Sequence, residues 1–184
     1  MRSKFLTDLY YSEPFPASRK VKYKARQKAG RGGGHQNDFY GLGGFKCAHC
    51  QQFVSTDTLL SGVNNRNHCP YCLWSRHLDL FASGDRLSAC KAKMQPVGLT
   101  LKRSRNKYAR EQDGELMLVH RCTECGKVSI NRTAADDEPS VVFTLLDGAD
   151  RLDPQTCAQL QSGGIQVLDQ RALSIVRARL LGKS

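Results

Sequence analysis

With 28 Lys and Arg against 17 Asp and Glu, this 184-residue chain carries a formal charge of +11 on a composition that is 40% apolar. The length fits one domain with extensions, and the apolar fraction supports a modest core. No stretch approaches the ~18 apolar residues of a membrane span, and the first 30 residues show no secretory hydrophobic segment. Asp8 and Glu13 among the early basic residues argue against an acid-poor transit peptide. The eight cysteines are therefore expected in a reducing compartment, the cytosol, where C-x-x-C pairs more often hold metal than form disulfides. So large a positive excess implies an anionic partner, most commonly nucleic acid, with solubility or an anionic membrane surface as the alternatives.

Residues 1–44 hold nine basic and three acidic residues, a net +6 concentrated in Arg19, Lys20, Lys22, Lys24, Arg26, Lys28 and Arg31. Glycines at 32–34, 41, 43 and 44 follow with little apolar periodicity. The segment reads as a flexible basic arm with a Gly-rich hinge. Such an arm neutralises phosphates without reading sequence; a tail serving solubility alone is the bland reading.

At Phe45 the composition changes. Cys47-Ala48-His49-Cys50 and Cys69-Pro70-Tyr71-Cys72 are two C-x2-C turns with 18 residues between them. Two thiolate pairs at this spacing form the pattern of a structural zinc site, whose four ligands leave no position for substrate. Each turn is expected at the end of a short hairpin, with Phe53, Val54, Leu59 and Leu60 as apolar cover. A redox dithiol is the rival reading, but neither pair sits in a βαβ pattern.

Leu73 to Phe81 reads as helical. Val97–Leu101, Glu115–Cys122 and Lys127–Arg132 then read as the three strands of a zinc ribbon, with a knuckle at Cys122-Thr123-Glu124-Cys125. Cys90, His120, Cys122 and Cys125 are the expected ligands of a second candidate ion. His120 is included because a residue two before Cys122 shares its face of the strand. His77 is the alternative to His120, and packed histidines with no second ion are the bland reading. Between the first two ribbon strands, Lys102, Arg103, Arg105, Lys107 and Arg110 form a basic loop in which Tyr108 offers a stacking face to an unpaired base. A merely solvated loop is the plainer alternative.

Phe45-Lys46-Cys47, the run from Arg66-Asn67-His68-Cys69-Pro70 to Asp79, and the run His120-Arg121-Cys122-Thr123-Glu124-Cys125-Gly126 resemble the RNHCP domain family. The family is named for the motif that stands unaltered at residues 66–70. The resemblance covers about residues 45–143 and implies a bacterial-type, zinc-ribbon-like domain, with no catalytic residues to carry over. Within the motif, Asn67 is expected to brace the turn through its side chain and His68 to donate to a thiolate or carbonyl, with Arg66 left to touch phosphate. A ββα-metal nuclease would employ His68, but needs a second histidine at a suitable distance before it, which the sequence does not supply.

Asp136-Asp137-Glu138 is an acidic exception. It reads as the start of a helix into Val141–Leu146, with a local counter-charge or a magnesium-attracting cluster as the other readings. Asp153-Pro154 opens a short helix through Thr156–Gln161. Asp169 opens another, Gln170–Leu181, with Leu173, Val176, Leu180 and Leu181 on one face, whose docking surface the sequence leaves open. Cys157 has no partner motif and reads as an inert thiol.

The expected division is a flexible arm over 1–44, a zinc-binding domain over 45–149 and a helical extension over 150–184. The fold class is small α+β, zinc-ribbon-like, with two zinc knuckle pairs and short C-terminal helices. These features favour a non-enzymatic RNA-binding protein associated with the ribosome, holding one zinc ion and a second candidate ion. A zinc-dependent nuclease of the HNH type and a DNA-binding transcription protein are the alternatives.

Overall fold

Two short strands, β1 (Gly44–Lys46) and β2 (Phe53–Ser55), pair antiparallel around the first C-x2-C turn. This computed structural model describes residues 43–102 and 114–182. The arm residues Arg19, Lys20, Lys22, Lys24, Arg26, Lys28 and Arg31 and the loop residues Arg103, Arg105, Lys107 and Arg110 lie outside the described residues. After β2 the chain makes a single helical turn, α1 (Thr58–Ser61), capped by Asp57 and closed by Gly62 at φ 68°. One turn is too short to present an apolar face. Ser61 is its buried residue, and Leu59 is 91% exposed. Of the apolar cover expected for the first metal site, Val54 is buried, whereas Phe53, Leu59 and Leu60 face solvent.

The second sheet is antiparallel throughout, in the order β3 (Ser75–Arg76), β4 (Lys93–Lys102), β5 (Glu115–Cys122), β6 (Val128–Arg132). The last three are the ribbon strands, with β4 longer than its apolar stretch and Lys102 exposed at its end. Register slips between Pro96, which pairs with His120, and Gly98, which pairs with Val119, leaving Val97 as the extra residue. Proline has no amide for the ladder, so a bulge beside it is the expected accommodation.

The helix expected over 73–81 does not form. Leu73 takes a left-handed φ of 60°, Ser75 and Arg76 pair with Met94 and Lys93, and the chain then enters a loop. Two carboxylates organise that loop by collecting backbone amides: Asp79 accepts from Gly84 and Arg86, and Asp85 accepts from Leu80, Phe81, Ala82 and Leu87. The amides of Ala82, Leu80 and Leu87 hold Asp85 far below the usual carboxylate range, since each favours the ionised form. The helical reading lost here to side-chain capture of the backbone.

Beyond β6 come α2 (Pro139–Thr144), a 3-10 turn over Leu145–Arg151, α3 (Pro154–Ser162), and a second 3-10 turn (Gln170–Ala172) running into α4 (Leu173–Leu181). Glu138 caps α2, Asp153 caps α3 and Asp169 caps the last element, each accepting from a first-turn amide. The main core joins Leu73, Leu99, Leu116, Leu118, Val142, Leu146 and Val176. Val176 brings α4 into it, and Leu180 packs alongside, while Leu173 and Leu181 of the same stripe are exposed. The segment before α4 lies on β4, where Leu168 N donates to Leu99 O at 2.8 Å and Thr100 bridges Val167. Glycine at 98 makes room for it, since a Cβ there would stand 2.8 Å from Val167 Cγ1. Residues after 150 thus share the ribbon's core. Among the described residues no helix is long and apolar enough to cross a membrane.

Because α4 and the ribbon share one core, Val176→Ala should lower stability by about 2 kcal/mol and Leu118→Ala by about 3 kcal/mol. Both should leave a single urea transition; a separate early transition in Val176→Ala would show that α4 unfolds on its own.

Candidate metal centres

Three turns in the chain repeat one hydrogen-bond pattern. In each, the first cysteine's amide donates to the carbonyl five residues on: Cys47 to Gln52 at 2.8 Å, Cys69 to Trp74 at 2.9 Å, Cys122 to Lys127 at 2.9 Å. The residue after the second cysteine donates back to the first: Gln51 to Cys47 at 3.1 Å, Leu73 to Cys69 at 2.8 Å, Gly126 to Cys122 at 3.1 Å. So tight a closure forces that residue to a left-handed φ, 65° at Gln51, 60° at Leu73 and 71° at Gly126. Only Gly126 adopts it without a Cβ penalty.

The first two turns face each other. Cys47, Cys50, Cys69 and Cys72 place their sulfurs within 4.8 Å of one another, with Cys47–Cys72 at 3.7 Å and Cys50–Cys69 at 3.6 Å. A disulfide needs about 2.05 Å, and no bridge is present among these thiols. Four sulfurs about 2.3 Å from a shared ion stand about 3.8 Å apart in a tetrahedron, so the donor set fits a metal ion. The electrostatics point the same way. Burial pushes the Cys69 thiol up to about 11 and Cys72 higher still. At Cys50 burial also opposes ionisation, but the Gln52 amide and the neighbouring thiols outweigh it and bring the group down. One nest therefore holds thiols pushed in opposite directions, an arrangement that a cation would resolve by favouring every thiolate.

The third turn works differently. Cys122 and Cys125 meet Cys90, with Cys90–Cys122 at 3.6 Å, and the fourth donor is His77, whose Nδ1 lies 3.3 Å from Cys125 Sγ. Lys91, directly after Cys90, is also left-handed at φ 53°. Burial, with Lys127 and Lys91 nearby, holds the His77 imidazole below its ordinary value, so it is kept in the neutral form that ligates. Together these four residues are able to hold a second ion.

His120, named ahead of His77 in the sequence reading, is elsewhere. It is fully buried in β5, with Nε2 2.7 Å from Leu73 O and Nδ1 2.9 Å from Asn131 Nδ2. A carbonyl only accepts and an amide nitrogen only donates, which fixes the neutral Nε2–H tautomer. Burial, helped by the nearby His68 and opposed by the Leu73 carbonyl, holds His120 down to about 3. Its role is to tie the second turn to the sheet. It does share a strand face with Cys122, but Cys122 ends β5 at the knuckle while His120 lies under Leu73.

The 66–70 motif clamps a distant segment. Arg66 Nη1 bonds Asp136 at 2.7 Å, Arg66 Nη2 lies 3.6 Å from Asp137, and His68 Nε2 bonds Asp137 at 2.8 Å. Arg66 Nε also donates to His68 O, while Asp137 accepts from Ala134 N at 2.7 Å. Glu138 N donates to Pro70 O at 3.0 Å. Arg66 is buried and paired, so the expected phosphate contact does not hold for it, and His68 donates to a carboxylate where a thiolate or carbonyl was expected. Asn67 is buried but forms no side-chain hydrogen bond among the described residues, so the bracing expected of it is not seen. The acidic run serves two of its readings at once: Glu138 starts α2, and Asp136 and Asp137 are counter-charges. An acidic run in so basic a chain was the available signal that buried cations needed partners. Cys157 sits apart from both clusters, 3.8 Å from Leu152 O.

His77→Ala should reduce bound metal from two ions to one per chain, whereas His120→Gln should keep two while lowering the melting temperature; inductively coupled plasma analysis of purified protein checks both. Asp137→Asn removes the charge of the fully buried carboxylate that His68 and Arg66 Nη2 face and should cost about 3–5 kcal/mol, with Asp136→Asn, at a 35% exposed carboxylate, costing clearly less in the same urea titration.

No curated protein and no solved structure matches the chain. A model of the RNHCP domain does match, over residues 43–143, a span that takes in both metal clusters and the Arg66–Asp137 clamp. The chain belongs to the RNHCP domain family.

Proposed function

We propose that this chain is a non-enzymatic, zinc-binding RNA-binding protein of the cytosol, associated with the ribosome. The observation that carries the reading is the +11 charge on a fold whose two metal clusters are each closed by four protein donors. Seven thiolates and one imidazole in two tetrahedral sets suit zinc, a borderline-soft ion with no redox chemistry. Sites closed in this way supply folding energy, roughly 10–16 kcal/mol each at neutral pH, and leave no coordination position for a substrate. His68, the residue a nuclease would need, is committed to Asp137 in the interior. The positive charge of residues 19–31 and 102–110 suits phosphate contacts that fix position without reading sequence.

Replacing Arg19, Lys20, Lys22, Lys24, Arg26, Lys28 and Arg31 by glutamine in the full chain should weaken binding to ribosomal subunits at least tenfold and flatten the dependence of log K on log salt. Co-sedimentation with purified subunits across a salt series measures both. Unchanged affinity with an unchanged slope would remove the arm from the reading, and tighter binding to duplex DNA than to folded RNA at matched salt would replace it.

A further inference from the structure

An open groove of about 700 Å³ lies between the two metal clusters. Cys47, Ala48 and Gln51 of the first knuckle form one wall; Cys90, Thr123 and Glu124 of the second cluster form the other. Its rim and floor carry Lys46, Arg76, Lys91 and Lys93 against a single acid, Glu124. All four cations are exposed. Lys91 Nζ is engaged with the Arg86 carbonyl, while Lys46, Arg76 and Lys93 pair with no carboxylate among the described residues.

Arg76 and Lys93 stand directly opposite each other in the β3–β4 register. Like charges in opposed cross-strand positions destabilise a sheet. A repulsive pair left uncompensated in the free protein is what a surface built for an anion contains. Next to the groove-lining Ala48, His49 stacks flat on Trp74, with ring centroids 4.1 Å apart and planes within 2°. His49 is itself exposed. A row of cations beside an exposed ring stack suits an unpaired strand, with phosphates along the groove and a base on the imidazole.

We propose that this inter-cluster groove, through Lys46, Arg76 and Lys93 with His49 as stacking face, binds the backbone of single-stranded RNA. The inference rests on the RNA-binding reading and adds a surface to it that neither the arm nor the 102–110 loop supplies. The competing role for the cations is to offset the negative charge of metal-bound thiolates in the two walls. The two roles predict opposite effects on the free protein. Neutralising a repulsive pair that serves a ligand raises or leaves unchanged the melting temperature, whereas removing counter-charges of the thiolates loosens the metal.

The test uses the full chain and its Lys46→Gln/Arg76→Gln/Lys93→Gln variant. Fluorescence anisotropy with an end-labelled, unpaired RNA of about 16 nucleotides, from about 50 to 200 mM salt, is run beside metal content and thermal unfolding. The variant is expected to keep two metal ions and an equal or higher melting temperature. It should bind at least tenfold more weakly, with a salt slope reduced by about 2 for the three lost charges. His49→Ala should weaken binding with no change in slope. If the parent binds and the variant binds equally with the same slope, the groove is wrong and the arm reading stands. Loss of metal from the variant assigns the cations to the thiolates and overturns the groove. A parent chain that binds no RNA overturns the functional reading and the groove together.

Discussion

The fold depends first on three tight cysteine turns, which gather seven thiols and one imidazole into two sets able to hold cations. The region from β1 through the second knuckle has little core of its own: its buried apolar cluster is Cys47, Val54 and Cys69, with Phe45, Cys50 and Cys72 packed against them. So small a cluster cannot offset the chain entropy of ordering some thirty residues, at roughly 1–2 kcal/mol each. A metal ion shared between the two turns would supply the difference, as it does in other domains too small to stand on apolar burial.

The turns also store backbone strain. Gln51, Leu73 and Lys91 sit in left-handed backbone without being glycine, at about 1–2 kcal/mol each. In return each closure points amides at sulfur, as His49 N does toward Cys47 at 3.4 Å. Such contacts orient the ligands and favour their thiolate form. Leu73 shows how closely the two levels are joined. It closes the second knuckle, its carbonyl receives His120, and its side chain lies in the main core. The second knuckle and the main apolar core share this residue.

The clamp from Arg66 and His68 to Asp136 and Asp137 has a different purpose from the metal sites, although it grows from the same motif. A buried ion pair adds little net stability over an apolar contact of the same shape, yet it tolerates few alternatives. It joins the second knuckle to the start of α2, and so fixes where the helical layer begins relative to the ribbon. The groove between the clusters is lined by the first knuckle and the second cluster, with Lys46, Arg76, Lys91 and Lys93 along it.

The amino-acid sequence by itself determined the cysteine turns, the three ribbon strands and the capped C-terminal helices. Each is a local device, in which C-x2-C closes within six residues, β-periodicity runs along one strand, and Asp153 caps the turn that follows it. Tertiary structure alone decided which distant groups met. His77 reached the second cluster because Asp79 and Asp85 captured backbone amides and folded residues 79–87 into a loop, where a helix had been expected over 73–81. His120 was drawn instead beneath Leu73, and Arg66 found its carboxylate 70 residues away. The opposed charges of Arg76 and Lys93 likewise exist only through the β3–β4 register. Local hydrogen bonds and periodicity are written in neighbouring residues. Which histidine joins the second cluster, which carboxylates of the acidic run meet Arg66 and His68, and how the groove's charges are opposed depend on contacts between residues far apart in the chain.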